Sequence, residues 1–353
     1  MLTAILLATV LAAATPEPQI YIPPAATEAE EITAMVAAAK DLVAVLPPEE
    51  LKAASFTFAG KEHKFWHYIP TALLSDSSAV GNAYKPYGRF GVPVEKMSPE
   101  AITKLHRLLR TSLSNDGYQR FAQIIRIEGP AEPMLATKTL NRSPTTSPAG
   151  GQGYYFFSLF GAIGEGDWGW RFEGHHFSLS VEVSGGHVRF SPVMVGYNPW
   201  PQVPTANLEA VTLFNSLSKE QQAAALLVKN SPDDGIPKDI DRSPKAAPVV
   251  GVALGKLSPE GQYAYNRLID EFIGTFPEAV VGEMRKKLQA ESEKATLAWY
   301  GSTTDHAKPY FVRLQGATFL IQMRHNGLEA TGAIHGHLSF HDLEFGSGTS
   351  PKP

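Results

Sequence analysis

Apolar residues recur at three- and four-residue spacing from Glu28 to Leu46, where Ile32, Met35, Val36, Ala39, Leu42 and Val43 form one stripe. That period predicts an amphipathic helix. Pro47-Pro48 stops it, and Pro48-Glu49-Glu50 starts a short successor. Ser98-Pro99-Glu100 supplies an N-cap, a proline at the first helical position and an acid in the first turn, ahead of a helix over Pro99–Leu113. Ser258-Pro259-Glu260 repeats the device before a helical stretch from Tyr263 to Phe276. Ser218 with Gln221 forms a capping box for a helix running to about Val228.

Elsewhere the period falls to two. Phe177, Leu179, Val181 and Val183 alternate with Ser178, Ser180 and Glu182, as in a strand with one buried face. Upstream, Trp168, Trp170 and Phe172 have the opposite parity, so the apolar face switches near Gly174. A bulge or bend at Gly174 is the predicted cause. On that reading His175 lies on the apolar face of a strand and His176 on the polar one. The aromatic run Phe56–Ile69 also has strand character; His63 and His67 within it read as packed or surface residues. Strands dominate Tyr154–Val195 and Tyr310–His337, with helices before and between them. The expected fold is α+β, with a mainly antiparallel β core built from the middle and C-terminal strands, several packed helices and long loops.

Proline and glycine runs mark Ser143–Gly153 and Lys229–Pro248 as loops. Because strand-like segments flank both, we expect one α+β domain over 28–346, an extended lead-in over 15–27 and a disordered tail over 347–353. Residues 1–14 carry no charged side chain and end in Ala12-Ala13-Ala14, so they read as a secretory signal peptide of an exported, periplasmic or extracellular protein. Once the signal is cleaved, no membrane span is expected.

At 353 residues, 43% hydrophobic and 19% charged, the chain has ample material for a core. A formal charge of -4 and the absence of any basic run exclude a nucleic-acid binder of the usual electrostatic kind. Zero cysteines rule out disulfides, thiol catalysis and thiolate metal sites. A metal here must use His, Asp or Glu.

Two stretches concentrate such groups. One is Trp168-Gly-Trp-Arg-Phe-Glu-Gly-His-His176; the other is His335-Gly336-His337, followed by Ser339, His341 and Asp342. On an extended strand His335 and His337 share a face about 7 Å apart, close enough for both imidazoles to meet one ion. His175, His176, His335 and His337 are therefore the candidate metal ligands, for zinc, copper or iron. Glu173 is the candidate acid–base group or fourth metal ligand, and Arg171 the group that orients an anion. Trp168, Trp170 and His341 are candidates for gripping a small-molecule substrate, although core aromatics beside a snorkelling arginine are the favoured reading of the two tryptophans. Gly164-Glu-Gly-Asp-Trp-Gly169 has dinucleotide-loop spacing but precedes a Trp-rich strand, so no nucleotide cofactor is expected.

The blocks Trp168-Gly-Trp-Arg-Phe-Glu-Gly-His-His176, Gly196-Tyr-Asn-Pro199, Trp66-His-Tyr-Ile-Pro70 and His335-Gly-His337 occur in an order that resembles the domain-of-unknown-function 3500 family. The resemblance covers most of the chain after the signal. It implies that both histidine clusters belong to one pattern, and it supplies no activity. Where that pattern carries Arg-Asp after the second cluster, this chain has His341-Asp342. The residues fit a metal-dependent hydrolase or oxidoreductase acting on a small molecule. The alternative is a non-catalytic small-ligand-binding protein with an aromatic and histidine pocket.

Overall fold

The computed structural model describes residues 24–68, 89–128, 153–200, 204–227, 249–328 and 334–344. The signal, most of the lead-in, the 143–152 and 229–248 loops and the tail lie outside the described residues. Within them the chain is α+β, built on one eleven-stranded, mostly antiparallel sheet. Its strands are β1 (Ser55–Phe56), β2 (Val92–Pro93), β3 (Phe156–Ala162), β4 (Glu165–Gly174), β5 (Phe177–Ser184), β6 (His187–Trp200), β7 (Val252–Ala253), β8 (Thr296–Gly301), β9 (Tyr310–Gln315), β10 (Phe319–Leu328) and β11 (Ile334–Asp342). The order across the sheet is β1-β3-β4-β5-β6-β11-β10-β9-β8-β7, with β2 beside β3 and only β1 parallel to its neighbour. The last strand thus inserts between β6 and β10 and joins an N-terminal run of hairpins to a C-terminal one.

Helices start at the predicted caps Ser98, Ser218 and Ser258, and others form where no cap was predicted. The helices are α1 (Glu28–Val43), α2 (Pro48–Ala54), α3 (Lys61–Lys64), α4 (Pro99–Ser112), α5 (Asn115–Glu128), α6 (Thr205–Ser216), α7 (Lys219–Ala225), α8 (Pro259–Ile273) and α9 (Glu278–Ala290). Thr27 closes a capping box on α1 and Ser218 closes one on α7. Ser98 and Ser258 accept from Ala101 and Gly261 at the starts of α4 and α8. The core lies between these helices and one sheet face, which presents Trp168, Trp170, Phe172, Leu179, Val181, Val195, Leu338, Ile321, Val312 and Leu297. Trp168 and Trp170 are 1% and 0% exposed, which makes them core aromatics.

Two expectations need correcting. Residues 56–68 are not a continuous strand: only Ser55–Phe56 pair, Lys61–Lys64 turn helically, and residues 65–68 have no ladder pairing; Ile69 lies outside the described residues. The cause is polar capture by the opposite sheet face. Arg171 donates to the carbonyls of Glu62, His63 and Phe65, and His63 sits 3.0 Å from Glu182 while stacking on Phe160. Gly174, in turn, is no bulge. Register runs unbroken from Trp168↔Val183 to Gly174↔Phe177, leaving His175-His176 as the two-residue turn of a hairpin. Partners three residues apart have opposite parity, so the hairpin itself produces the switch of apolar face. What the glycine provides is space, because a Cβ there would lie 2.6 Å from the Tyr155 ring.

Candidate metal centre

The polar sheet face carries Arg171 and Glu173 on β4, Ser178, Ser180 and Glu182 on β5, and His335, His337, Ser339 and His341 on β11. Directly paired residues share a face, and the pairings Arg171↔Ser180 and Glu173↔Ser178 place these groups opposite the core side. β11 lies against β6 with His337 opposite Gly196. The β4–β5 turn reaches the same place, since Gly196 N–H donates to the His176 carbonyl at 2.7 Å and His176 N–H donates to the Tyr68 carbonyl at 2.9 Å. Both backbone groups of His176 are thereby fixed, holding it at φ 58, a left-handed conformation that non-glycine residues seldom adopt.

Three imidazoles converge there. Nε2 of His335 lies 3.2 Å from Nε2 of His176 and 3.2 Å from Nε2 of His337, and the third side of the triangle is 3.3 Å. His176 is buried, while His335 and His337 are half-buried. Four zinc ligands at about 2.0–2.1 Å in a tetrahedron would stand roughly 3.3 Å apart. The triangle therefore has the dimensions of three corners of such a site, with no fourth His, Asp or Glu joining it among the described residues. The arrangement can hold a metal ion.

Hydrogen bonding among the rings alone cannot satisfy it. A neutral imidazole Nε2 is either a donor or an acceptor. Three mutually close nitrogens with two states include at least two alike, so one edge opposes two protons or two lone pairs. A cation among three lone pairs removes the conflict.

The surroundings shape the triangle. A Cβ on Gly196 would lie 2.5 Å from Cδ2 of His176, so the ring can approach only over glycine. A Cβ on Gly336, between the two β11 ligands, would lie 2.2 Å from the Tyr197 hydroxyl. That hydroxyl donates to Asn207 Oδ1 at 3.1 Å and lies 3.2 Å from His325 Nδ1. Burial, reinforced by nearby Tyr310, raises the Tyr197 pKa and keeps the phenol protonated. Tyr68 packs on His337 with ring centroids 4.7 Å apart. His335 Nδ1 meets the Asn326 carboxamide at 3.2 Å. A ligand bound through Nε2 carries its proton on Nδ1, so a half-turn of the Asn326 amide would present the oxygen it needs.

The other sequence candidates sit as follows. His175 packs beside His176 with centroids 3.9 Å apart and ring planes tilted by 31°, and its carbonyl accepts from Tyr155, but it is not one of the three converging histidines. Glu173 is buried, accepting from His67 N–H at 3.0 Å and Ser178 Oγ at 3.3 Å with Arg89 at 3.5 Å. Arg171 is buried, its guanidinium taken up by three carbonyls and Ser180 Oγ. Its pKa is lowered by burial, against which the Glu173 and Glu182 charges act. His341 lies under Trp66, centroids 5.8 Å apart, and burial pushes its imidazole down to about 4. Tyr68, Gly196, Tyr197 and Asn326 were not singled out for the site by the sequence reading. Gly196, Tyr197 and Tyr68 fall in blocks that carry the family resemblance, whereas Asn326 carried no signal.

A cleft of about 610 Å³ between α5 and α8 shares no residue with the triad. Its charges are matched internally, with Arg120 at 2.5 Å from Glu271 and Arg285 at 2.8 Å from Asp270. No helix among the described residues is long and apolar enough to cross a membrane.

Comparison with known families gives one match: a family described as "Protein of unknown function (DUF3500)" fits residues 28–346. No curated protein and no solved structure matches the chain.

Proposed function

We propose, for a chain that belongs to the DUF3500 family, that His176, His335 and His337 hold one transition-metal ion and that the protein is a metal-dependent enzyme acting on a small molecule. The observation that carries this reading is the near-equilateral Nε2 triangle, with edges of 3.2–3.3 Å. Three imidazole ligands, with no fourth ligand joining them among the described residues, suit zinc first, and copper next. Iron of the two-histidine, one-carboxylate kind is disfavoured, because among the described residues no carboxylate joins the cluster. A bound divalent ion would supply Lewis acidity and a water acidified toward neutral pH, which makes hydrolysis the favoured reaction class. The chain's own part is to fix ring orientation through Asn326 and Tyr68 and to hold His176 in its turn.

Elemental analysis of untagged protein tests the reading. About one equivalent of zinc or copper is expected, with loss of binding in His337→Ala. Metal content that stays substoichiometric after incubation with zinc, copper and iron would leave the non-catalytic ligand-binding alternative. For the compartment we propose export, supported by the uncharged apolar run 2–14 that ends in small residues. A secreted product that retains residues 2–14 on N-terminal sequencing would count against cleavage.

A further inference from the structure

The same sheet face carries a second polar feature beside the triad. Arg313 on β9, Gln322 on β10 and Ser339 on β11 are direct cross-strand neighbours, Arg313↔Gln322 and Gln322↔Ser339. They form one row, adjacent to the row in which His337 pairs with Arg324. Ser339 is two residues from His337, about 7 Å along the strand, and Arg313 lies two strands, about 10 Å, from β11.

The row is buried. Arg313, Gln322 and Ser339 are 8%, 4% and 9% exposed. Arg313 Nε and Gln322 Nε2 have no hydrogen-bond partner among the described residues. No carboxylate there stands within ion-pair distance of Arg313, whose guanidinium is disfavoured by burial alone. The contrast with Arg171 is informative: that buried arginine on the same face meets three carbonyls and a hydroxyl. A buried cation without an anion costs several kcal/mol by order of magnitude, so such groups are normally paired. A planar fork of donors flanked by a carboxamide N–H and a hydroxyl is the donor set that recognises an oxyanion.

We infer that Arg313, Gln322 and Ser339 form the oxyanion subsite of the enzyme, anchoring the carboxylate or phosphate of a small organic substrate whose reacting end lies at the histidine triad. This deepens the metal-centre reading and names its substrate class. Arg313 carries the charge recognition, while Gln322 and Ser339 set orientation.

The test uses the full chain, prepared both metal-free and zinc-loaded, titrated calorimetrically with phosphate, sulfate, acetate and succinate in an otherwise anion-poor buffer. At least one oxyanion should bind saturably at millimolar concentration. Arg313→Gln should weaken that binding about tenfold or more, the worth of one charge-assisted hydrogen bond. The ligand-free melting temperature of Arg313→Gln should equal or exceed that of the wild type, because the variant removes an unpaired buried charge. A purely structural arginine would instead leave that variant less stable. Gln322→Leu provides a second variant should Arg313→Gln fold poorly, and it should weaken binding severalfold.

Preference for phosphate or for a carboxylate identifies the substrate's anionic group, and either supports the subsite. Absence of oxyanion binding in both preparations, or unchanged affinity in the variants, overturns it. Oxyanion binding that survives while zinc fails to bind overturns the metal centre and leaves the subsite standing.

Discussion

His176 sits at φ 58, where a glycine would be at ease and a histidine is not. The strain is of the order of 1 kcal/mol or more, and it is held by hydrogen bonds to Tyr68 and Gly196. A turn selected only for stability would carry Gly or Asn there, so the side chain is kept for what it reaches. His176→Gly is accordingly expected to remain within about 1 kcal/mol of the wild type in metal-free denaturant melts. It should nevertheless lose zinc-dependent stabilisation entirely; a variant that melted normally and still responded to zinc would remove His176 from the ligand set. His341 makes the opposite kind of prediction. Its folded pKa, about 4, lies below the ordinary 6.5, so the unfolded chain takes up a proton that the folded chain refuses. The stabilising contribution is complete above about pH 6.5 and is lost as pH falls toward 4, by roughly 3 kcal/mol at most. Stability of His341→Phe measured between those pH values should show a shallower slope than the wild type, and parallel slopes would show that His341 titrates normally.

At the scale of elements, the decisive unit is the β4–β5 hairpin lying beside β11. The periodicity in the sequence was sufficient for the helices with capped starts and for both strands of the hairpin, because caps and alternation are local. Parity along a single strand fits a bulge or bend at Gly174. Two strands joined by two residues give the same parity switch, and only the pairing Gly174↔Phe177 separates the cases. Residues 56–68 defeated the reading for a related reason: Arg171 binds the carbonyls of Glu62, His63 and Phe65 and Glu182 meets the His63 ring, both more than 100 positions away. The same holds for α5, α6 and α9, whose starts lack the Ser-Pro-Glu signature of α4 and α8. His335 and His337 were legible as a pair because their spacing is local. Their third partner could be narrowed to a doublet, but choosing between His175 and His176 needed the turn. This arrangement makes Gly196 a sensitive position. In Gly196→Ala the new methyl meets the His176 ring at about 2.5 Å, an overpacking expected to cost 1–3 kcal/mol or so and to displace the ligand. Calorimetric zinc affinity should fall about 10-fold or more, as for other groups that orient ligands, with far-ultraviolet circular dichroism unchanged. Unaltered affinity would mean that the ring approaches by another path.

Over the whole molecule, the triad lies where the two halves of the sheet meet. β6 ends the N-terminal hairpins, β10 belongs to the C-terminal ones, and β11 closes the gap between them. His176 belongs to the first half and His335 and His337 to the second, 159 and 161 positions further on. In the unfolded chain the cost of closing so long a loop leaves no preformed three-nitrogen site, so metal binding free energy becomes folding free energy. Zinc at 100 times its dissociation constant should therefore add about 2.7 kcal/mol of stability, provided the unfolded chain binds it negligibly. Because an ion held by the triad would tie the β4–β5 turn to β11, the gain should appear in one cooperative transition rather than in the melting of either half. His176→Ala and His337→Ala remove ligands from opposite halves and should each abolish the whole increment, with the double variant no worse than either alone in its response to zinc. Increments that halved in each single variant and vanished only in the double one would instead describe two independent surface sites, and the convergence of the two histidine clusters would have no energetic consequence.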